Sequence, residues 1–313
     1  MLRSARAALP AVLMASALTL AGCAPDAVGT GDGDDPIRIV ASTNVYGDVA
    51  ATIAGDAAEV TSIIHDAAQD PHDYEATPRD ALALSEADLV IVNGGGYDAF
   101  MGTLLDAHGG DPVVLDAVEL ADLDVEAGHD HGHDHDDHDH AVNEHVWYDL
   151  HVVELLAEEL AEHLAALDPA NAETFAANAA DFVDGVGALE ATASAIAEAH
   201  SGARVAITEP VPLYLLEAAG LENATPPAFS EAIEEGTDAP ALVLRDVEAL
   251  VSDGSVAFLA YNAQTVGPQT EAVLAAATGA GTPVVSFSEL LPEGDDYLGW
   301  MAANLAAIEA ALT

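Results

Sequence analysis

Lysine is absent from this 313-residue chain, and its six basic residues are all arginines, which stand against 55 acidic residues. The formal net charge of -49 excludes a nucleic-acid-binding protein, or a binder of anionic membranes, that acts through a basic face. A charge of this sign fits a cationic partner instead. We therefore expect no nucleic-acid partner.

Cysteine occurs once, at Cys23, which excludes an intrachain disulfide and a cysteine zinc cluster. It follows an arginine-containing start and an apolar run over residues 7–20, shorter than the ~20 residues that span a bilayer. Leu20-Ala21-Gly22-Cys23 resembles the bacterial lipobox, whose cysteine becomes the lipidated first residue of the exported protein. We expect a lipoprotein signal peptide over residues 1–22, lipidation of Cys23, and an extracytoplasmic protein whose lipid anchor is its only contact with the bacterial cell membrane.

Beyond a small, acidic, glycine-rich tether over residues 23–36, short apolar blocks alternate with longer helical patterns. This alternation is typical of parallel sheets covered by helices. We predict an α/β fold with two parallel-sheet α/β lobes, residues 37–166 and 203–313, joined by one long rigid interlobe helix over residues 167–202. Asp168-Pro169 is a good start signal for that helix.

The second lobe shows strand and helix patterns of its own. Strands are predicted near residues 203–208, 256–261 and 283–287, and helices near residues 212–219, 240–251, 268–278 and 297–312.

The segment over residues 129–140, HDHGHDHDDHDH, contains six histidines and five aspartates. Such a segment cannot form a core and must lie in solvent. Neutral imidazoles and carboxylates ligate Zn²⁺, Ni²⁺, Cu²⁺ and Co²⁺. We predict an accessory metal-binding loop in the first lobe, with an acidic loop without a metal role as the alternative. Its ligands would be His129, His131, His133, His135, His138 and His140.

Four isolated residues outside this loop could also converge on a metal ion. His72 follows a predicted strand and stands beside Pro71, and His145 follows the histidine-rich segment. Glu209 and Glu289 each follow an apolar strand. Ligands bind at the carboxyl ends of strands in open parallel sheets, although each of these residues could instead be a capping or surface residue.

Two motifs, DPHDYEATPRD around His72 and NEHVWYDL around His145, together with the long acidic helix between the lobes, resemble one family. It comprises the metal-binding lipoproteins that serve zinc and manganese ABC importers, the cluster A-I solute-binding proteins. The resemblance runs from about residue 37 to residue 313. It implies a metal site in the cleft between the lobes with His72, His145, Glu209 and Glu289 as ligands, and delivery of the ion to the importer's permease and ATPase subunits.

The chain departs from this family at four positions. Ala76 and Leu150 stand where the family usually has proline. Glu209 occupies a position that is commonly histidine in zinc importers, and Glu289 replaces a more common aspartate.

The sequence leaves two metals open. Four nitrogen and oxygen ligands suit tetrahedral Zn²⁺, whereas bidentate carboxylates would raise the coordination number and favour Mn²⁺. The histidine-rich loop favours zinc, which we take as the expected ion, with manganese as the alternative. Protons compete for the imidazoles, so affinity should fall below about pH 6.

We therefore expect a non-enzymatic, monomeric receptor that captures a divalent transition metal, zinc preferred. The alternatives are a manganese-specific receptor of the same family, a metal-binding surface adhesin or metal buffer, and a metallohydrolase with Glu209 or Glu289 as general base. The chain lacks the HExxH and GxSxG motifs, and four protein ligands would leave no open coordination position. Both observations argue against the hydrolase.

Overall fold

Apolar strands build two parallel sheets in the computed structural model, which describes residues 36–66, 69–107, 112–121 and 143–313. Each sheet grows first on one side of its opening strand and then on the other. Ligands bind beside such a reversal in open parallel sheets. The first sheet has the order β2-β1-β3-β4, with β1 (Ile37–Thr43), β2 (Ala58–Ile64), β3 (Leu89–Val92) and β4 (Val113–Asp116). The second has the order β6-β5-β7-β8, with β5 (Arg204–Ile207), β6 (Glu222–Asn223), β7 (Leu259–Asn262) and β8 (Val284–Phe287).

Helices connect these strands. In the first lobe they are α1 (Asn44–Ala54), α2 (Pro78–Ser85) and α3 (Ala99–Ala107). Between the sheets in sequence come α4 (Leu150–Leu167) and α5 (Ala172–His200). The second lobe contains α6 (Leu213–Ala218), α7 (Pro227–Glu234), α8 (Ala241–Ser252), α9 (Pro268–Ala280) and α10 (Tyr297–Ala311). The predicted fold class, two parallel-sheet lobes with a long helix between them, is confirmed.

The long helix α5 spans 29 residues, which is about 44 Å at 1.5 Å per residue. Its buried side chains are spaced four and three residues apart, so they form one apolar stripe. This stripe joins a single hydrophobic cluster that also contains Ile39 of the first sheet and Ile207 of the second. The two lobes therefore share one core along the helix. The stripe consists of Phe175, Ala179, Phe182, Val186, Leu189, Ala193 and Ile196.

The helix α5 begins later than the Asp168-Pro169 signal predicts, since its N-cap is Asn171. Asp168 instead ends α4, and its backbone N–H donates to the Leu164 carbonyl at 2.8 Å. Its carboxylate accepts from the Ala170 N–H at 3.0 Å and from the Asn171 side-chain amide at 2.6 Å. Asp168 thus holds the short turn between two helices instead of opening the second one.

Gly185 lies inside α5 without interrupting it. A Cβ atom at this position would lie 2.6 Å from Leu298 Cδ1, so glycine allows α5 to approach α10 of the second lobe closely. The side chain of Asn44 adds a polar connection between the lobes. It donates to the Leu291 carbonyl at 2.8 Å and accepts from the Leu291 N–H at 3.1 Å.

The second lobe also contains two elements that the sequence did not predict, the two-residue strand β6 and the helix α7. Helix α7 has eight residues, and its large buried apolar side chains are only Phe229 and Ile233. Two positions four residues apart are too few to give a recognisable helical period.

Several predicted features lie outside the described residues. They are the signal peptide over residues 1–22, Cys23, the tether up to residue 35, and the histidine-rich segment over residues 129–140. Among the helices that the structure describes, none has both the length and the apolar character needed to cross a membrane.

Candidate metal centre

Three of the four predicted site residues meet between the two sheets. His72 lies in the loop between β2 and α2, His145 directly precedes a short 3-10 helix over Val146–Tyr148, and Glu289 follows β8. One ring nitrogen from each histidine and one carboxylate oxygen of Glu289 lie within 4.8 Å of one another. His145 and Glu289 are 1% and 5% exposed. Polar groups distant in sequence are therefore gathered at one place, where His145 and Glu289 are buried and His72 is exposed.

In each of the two histidines, the ring nitrogen Nδ1 faces an oxygen atom. His145 Nδ1 lies 2.7 Å from Asn143 Oδ1, and His72 Nδ1 lies 3.5 Å from Glu144 Oε1. An N–H on Nδ1 that donates to such an oxygen leaves the lone pair on Nε2, as in most metal-ligating histidines. The buried Nε2 atom of His145 has no hydrogen-bond partner among the described residues. The arrangement suits ligation through Nε2.

A carboxylate that the sequence did not single out lies between the two histidines. Glu234 Oε1 is 3.4 Å from His72 Nε2 and 3.3 Å from His145 Nε2. With Glu144 and His72 it forms a second group whose candidate ligand atoms lie within 4.8 Å of one another. The position of Glu144 next to His145 in the NEH motif could have indicated it. Glu234 gave no such signal, because it ends the unpredicted helix α7.

Glu289 is held by neighbours from the second sheet and by one tyrosine of the first lobe. Asn262, at the end of β7, donates to its Oε1 at 2.8 Å, and the Tyr97 hydroxyl donates to its Oε2 at 3.3 Å. The Gln264 side-chain oxygen accepts from the Glu289 backbone N–H at 2.6 Å. These contacts fix the direction of the carboxylate.

The fourth predicted residue, Glu209, is 3% exposed and belongs to neither of the two groups within 4.8 Å. It nevertheless lies beside them, since Asn262 hydrogen-bonds to it as well as to Glu289. Its Oε2 is buried without a hydrogen-bond partner among the described residues. The structure thus leaves Glu209 next to the cluster with an unsatisfied carboxylate oxygen.

The two imidazoles have opposite proton affinities. Burial lowers the pKa of His145 to about 4, so this ring is neutral at neutral pH. Burial also acts to lower the pKa of His72, but the hydrogen bond to Glu234 and the charges of Glu144, Glu234 and Glu289 outweigh it and raise the pKa to about 9. The metal-free site therefore holds a proton on His72 at neutral pH.

Burial also raises the pKa values of three carboxyl groups. Burial and neighbouring acids raise the pKa of Glu144 to about 7 and that of Glu209 to about 8, and burial raises the pKa of Glu289. For Glu234, burial acts to raise the pKa, but His72 and His145 outweigh it and the pKa is lowered. The cluster concentrates more negative charge than it can hold without protons or another cation.

The glycine run after β3 lets the backbone pass close to Glu144. Gly94, Gly95 and Gly96 have φ values of 79°, 65° and 108°, which other residues adopt rarely. A Cβ on Gly95 would lie 3.2 Å from the Glu144 Cβ, and one on Gly94 would lie 2.1 Å from Asp116 Oδ1. The run is a tight turn, and it packs against Glu144, a member of the second candidate ligand group.

A family model described as zinc-uptake complex component A, periplasmic, matches residues 39–311. The chain belongs to this family. Members of the zinc-uptake component A family are components of an uptake complex, so the chain belongs with solute-binding proteins and not with enzymes.

Curated relatives match part of the chain. The manganese-binding lipoprotein MntA of Halalkalibacterium halodurans is 31% identical over 184 residues, which cover 57% of this chain and 56% of MntA. The chain thus spans about half the length of the curated relatives it matches.

Solved structures resemble more of the chain. A manganese-bound mutant of the periplasmic metal-binding protein of Candidatus Liberibacter asiaticus is 20% identical with a TM-score of 0.71, and the periplasmic zinc-binding protein TroA of Treponema pallidum is 20% identical with a TM-score of 0.70. Each comparison covers 89% of this chain and 100% of the other. At this identity the likeness shows the shared fold.

Proposed function

We propose that this chain captures a divalent transition-metal ion outside the cytoplasm and delivers it to the permease and ATPase subunits of an ABC importer. The observation that carries the proposal is the convergence of His72, His145 and Glu289 within 4.8 Å. Unpartnered buried atoms, His145 Nε2 and Glu209 Oε2, support it, because leaving a buried polar atom without a partner is costly unless a ligand satisfies it. We propose these four residues as the ligands.

The chemistry of the donors favours manganese as the cargo. Two imidazoles are surrounded by the carboxylates of Glu144, Glu209, Glu234 and Glu289, so oxygen donors outnumber nitrogen donors. Carboxylate oxygen suits Mn²⁺. The manganese-binding relative MntA supports this choice.

Zinc is the second candidate, and the sequence favoured it. His72, His145 and Glu289 with one further carboxylate would supply the four donors of a tetrahedral zinc site. Zn²⁺ also binds a given set of nitrogen and oxygen ligands more tightly than Mn²⁺. The zinc-binding relative TroA supports this candidate through the shared fold alone.

Competitive titration of the metal-stripped protein distinguishes these candidates. The segment over residues 129–140 is deleted so that its weak sites do not interfere, and Zn²⁺ and Mn²⁺ are titrated against a chelator. One tight equivalent of Mn²⁺ is the expected result. One tight equivalent of Zn²⁺ with Mn²⁺ bound only weakly would assign zinc, and no tight site for either ion would refute the receptor proposal.

We also propose that the receptor is monomeric and is anchored by lipid on Cys23. The lipobox-like sequence before Cys23 and the lipoprotein relative MntA support the anchor. The Cys23→Ala variant should leave the membrane fraction and appear in the soluble extracytoplasmic fraction, and its retention on the membrane would contradict the anchor.

A further inference from the structure

We infer that Glu234 is a metal donor beyond the four proposed ligands, and that it shifts the site's selectivity from Zn²⁺ towards Mn²⁺. The inference rests on the proposed metal-binding function and deepens it. Its basis is the position of one carboxylate oxygen between two imidazole nitrogens, together with the rigid placement of the helix that carries it.

Helix α7 places Glu234 firmly at the site. Pro227 occupies the first turn of the helix, where the fixed φ of proline favours a helical start. Phe229 and Ile233 are buried in the hydrophobic cluster of the second lobe. The helix ends at Glu234, and two residues further on Gly236, whose φ is +65°, donates its backbone N–H to the Ile233 carbonyl at 2.9 Å. Glu234 therefore stands at the end of an anchored helix.

The distances around Glu234 match donors that share one ion. Its Oε1 lies 3.4 Å from His72 Nε2 and 3.3 Å from His145 Nε2. Two donors bound to a metal at about 2.1 Å are separated by about 3.4 Å in tetrahedral geometry, which both distances match. In octahedral geometry the separation is about 3.0 Å, so a six-coordinate ion would draw Glu234 a few tenths of an ångström closer to the two rings. Both nitrogens are Nε2 atoms, which can ligate a metal ion while Nδ1 of each ring keeps its contact with an oxygen.

The ion pair of this oxygen with His72 leaves the second imidazole nitrogen that faces it unsatisfied. His145 Nε2 is buried and has no hydrogen-bond partner among the described residues, although it lies 3.3 Å from Glu234 Oε1. His145 is 1% exposed, so water does not replace the missing partner readily. A divalent cation between these atoms would satisfy both.

An additional carboxylate changes which ion fits. Zn²⁺ in protein sites is predominantly four-coordinate, and Mn²⁺ accepts more oxygen donors in octahedral geometry. A fifth protein donor therefore adds affinity for Mn²⁺ and little for Zn²⁺. Glu234 acts as a specificity-determining ligand on this account.

The test compares Glu234→Gln with the matched control Glu235→Gln, which removes the same charge from the next, exposed residue. Dissociation constants for Mn²⁺ and Zn²⁺ are measured by chelator competition on purified full-length protein, and circular dichroism melting verifies that each variant is folded. Glu234→Gln should weaken Mn²⁺ binding about 10- to 100-fold and Zn²⁺ binding less than about tenfold. Glu235→Gln should leave both constants as in wild type.

The absorption spectrum of bound Co²⁺ gives a readout that loss of structure would not produce. Four-coordinate Co²⁺ absorbs visible light much more strongly than five- or six-coordinate Co²⁺, so Glu234→Gln should intensify these bands relative to wild type. Unchanged Mn²⁺ affinity, or an equal loss for both ions, would overturn the inference while leaving the receptor proposal intact. Failure of the wild-type protein to bind either ion tightly would refute the receptor proposal itself.

Discussion

Asn143 contacts His145 on one side and the residue next to Glu209 on the other. Its replacement by alanine tests whether these contacts orient the proposed ligands. Its side-chain oxygen lies 2.7 Å from His145 Nδ1 and accepts from the His145 backbone N–H at 3.3 Å. Its side-chain amide donates to the carbonyl of Pro210, next to Glu209, at 3.3 Å. Asn143→Ala removes all three contacts, so His145 loses the group that sets its ring orientation and Nε2 lone pair.

The expected loss follows from these contacts. Removing a group that orients a ligating histidine typically lowers metal affinity 10- to 100-fold, which corresponds to about 1.4–2.7 kcal/mol of binding free energy. Each of the three lost hydrogen bonds contributes about 0.5–1.5 kcal/mol to stability, so the free energy of unfolding of the metal-free protein should fall by about 1.5–4.5 kcal/mol. The variant keeps His72 and Glu289, so binding should be weakened and not abolished.

Chelator competition measures the binding loss, and urea unfolding of the metal-free protein measures the stability loss. The matched control is Asn178→Ala, which removes another asparagine bonded to a backbone carbonyl, that of Ile53 at 2.9 Å, away from the site. The control should lose stability and keep its metal affinity. Wild-type affinity in Asn143→Ala, or an equal loss of affinity in Asn178→Ala, would refute the orienting role of Asn143.

Three further predictions follow from the same cluster. His72→Ala and His145→Ala should each abolish tight metal binding in chelator competition, whereas deletion of residues 129–140 should preserve it. Metal affinity should fall about tenfold per pH unit between pH 9 and pH 8 and more steeply below pH 8, because the ion displaces protons from His72 and Glu209, whose pKa values in the metal-free protein are about 9 and about 8. Titration in buffers of different ionisation enthalpy measures the released protons. Gly94→Ala should destabilise the protein by about 1–3 kcal/mol in urea unfolding, because φ is +79° and the new Cβ would meet Asp116.

Each of these predictions has an outcome that contradicts it. Loss of tight binding on deletion of residues 129–140 would show that this segment, and not the site formed by His72, His145 and Glu289, holds the ion. Affinity that stays constant between pH 7 and pH 9, with no proton released at pH 7, would show that His72 is already deprotonated in the metal-free protein. Wild-type stability of Gly94→Ala would show that the turn accommodates a side chain.

Strand and helix alternation was sufficient to predict both lobes, because buried parallel strands are continuous apolar blocks and their connecting helices are long. His72, His145 and Glu289 could be singled out from the sequence because each stands in a motif or directly after a strand, and the structure brings them together. Glu234 was missed because the chain is rich in acids and the short helix α7 has only two large buried apolar residues. Its approach to both histidines depends on how α7 packs in the second lobe, which a local pattern does not encode.

The donors are divided unequally between the lobes, and this division bears on how an ion leaves. Of the proposed donors, the two imidazoles belong to the first lobe, and Glu209, Glu234 and Glu289 belong to the second. A wide opening of the lobes is disfavoured, because one hydrophobic cluster along α5 includes strands of both sheets and would be exposed to water. Helix α7 packs instead in the separate cluster of the second lobe. The second lobe therefore holds Glu234 through its own buried cluster, and the shared core along α5 resists separation of the carboxylates from the two imidazoles.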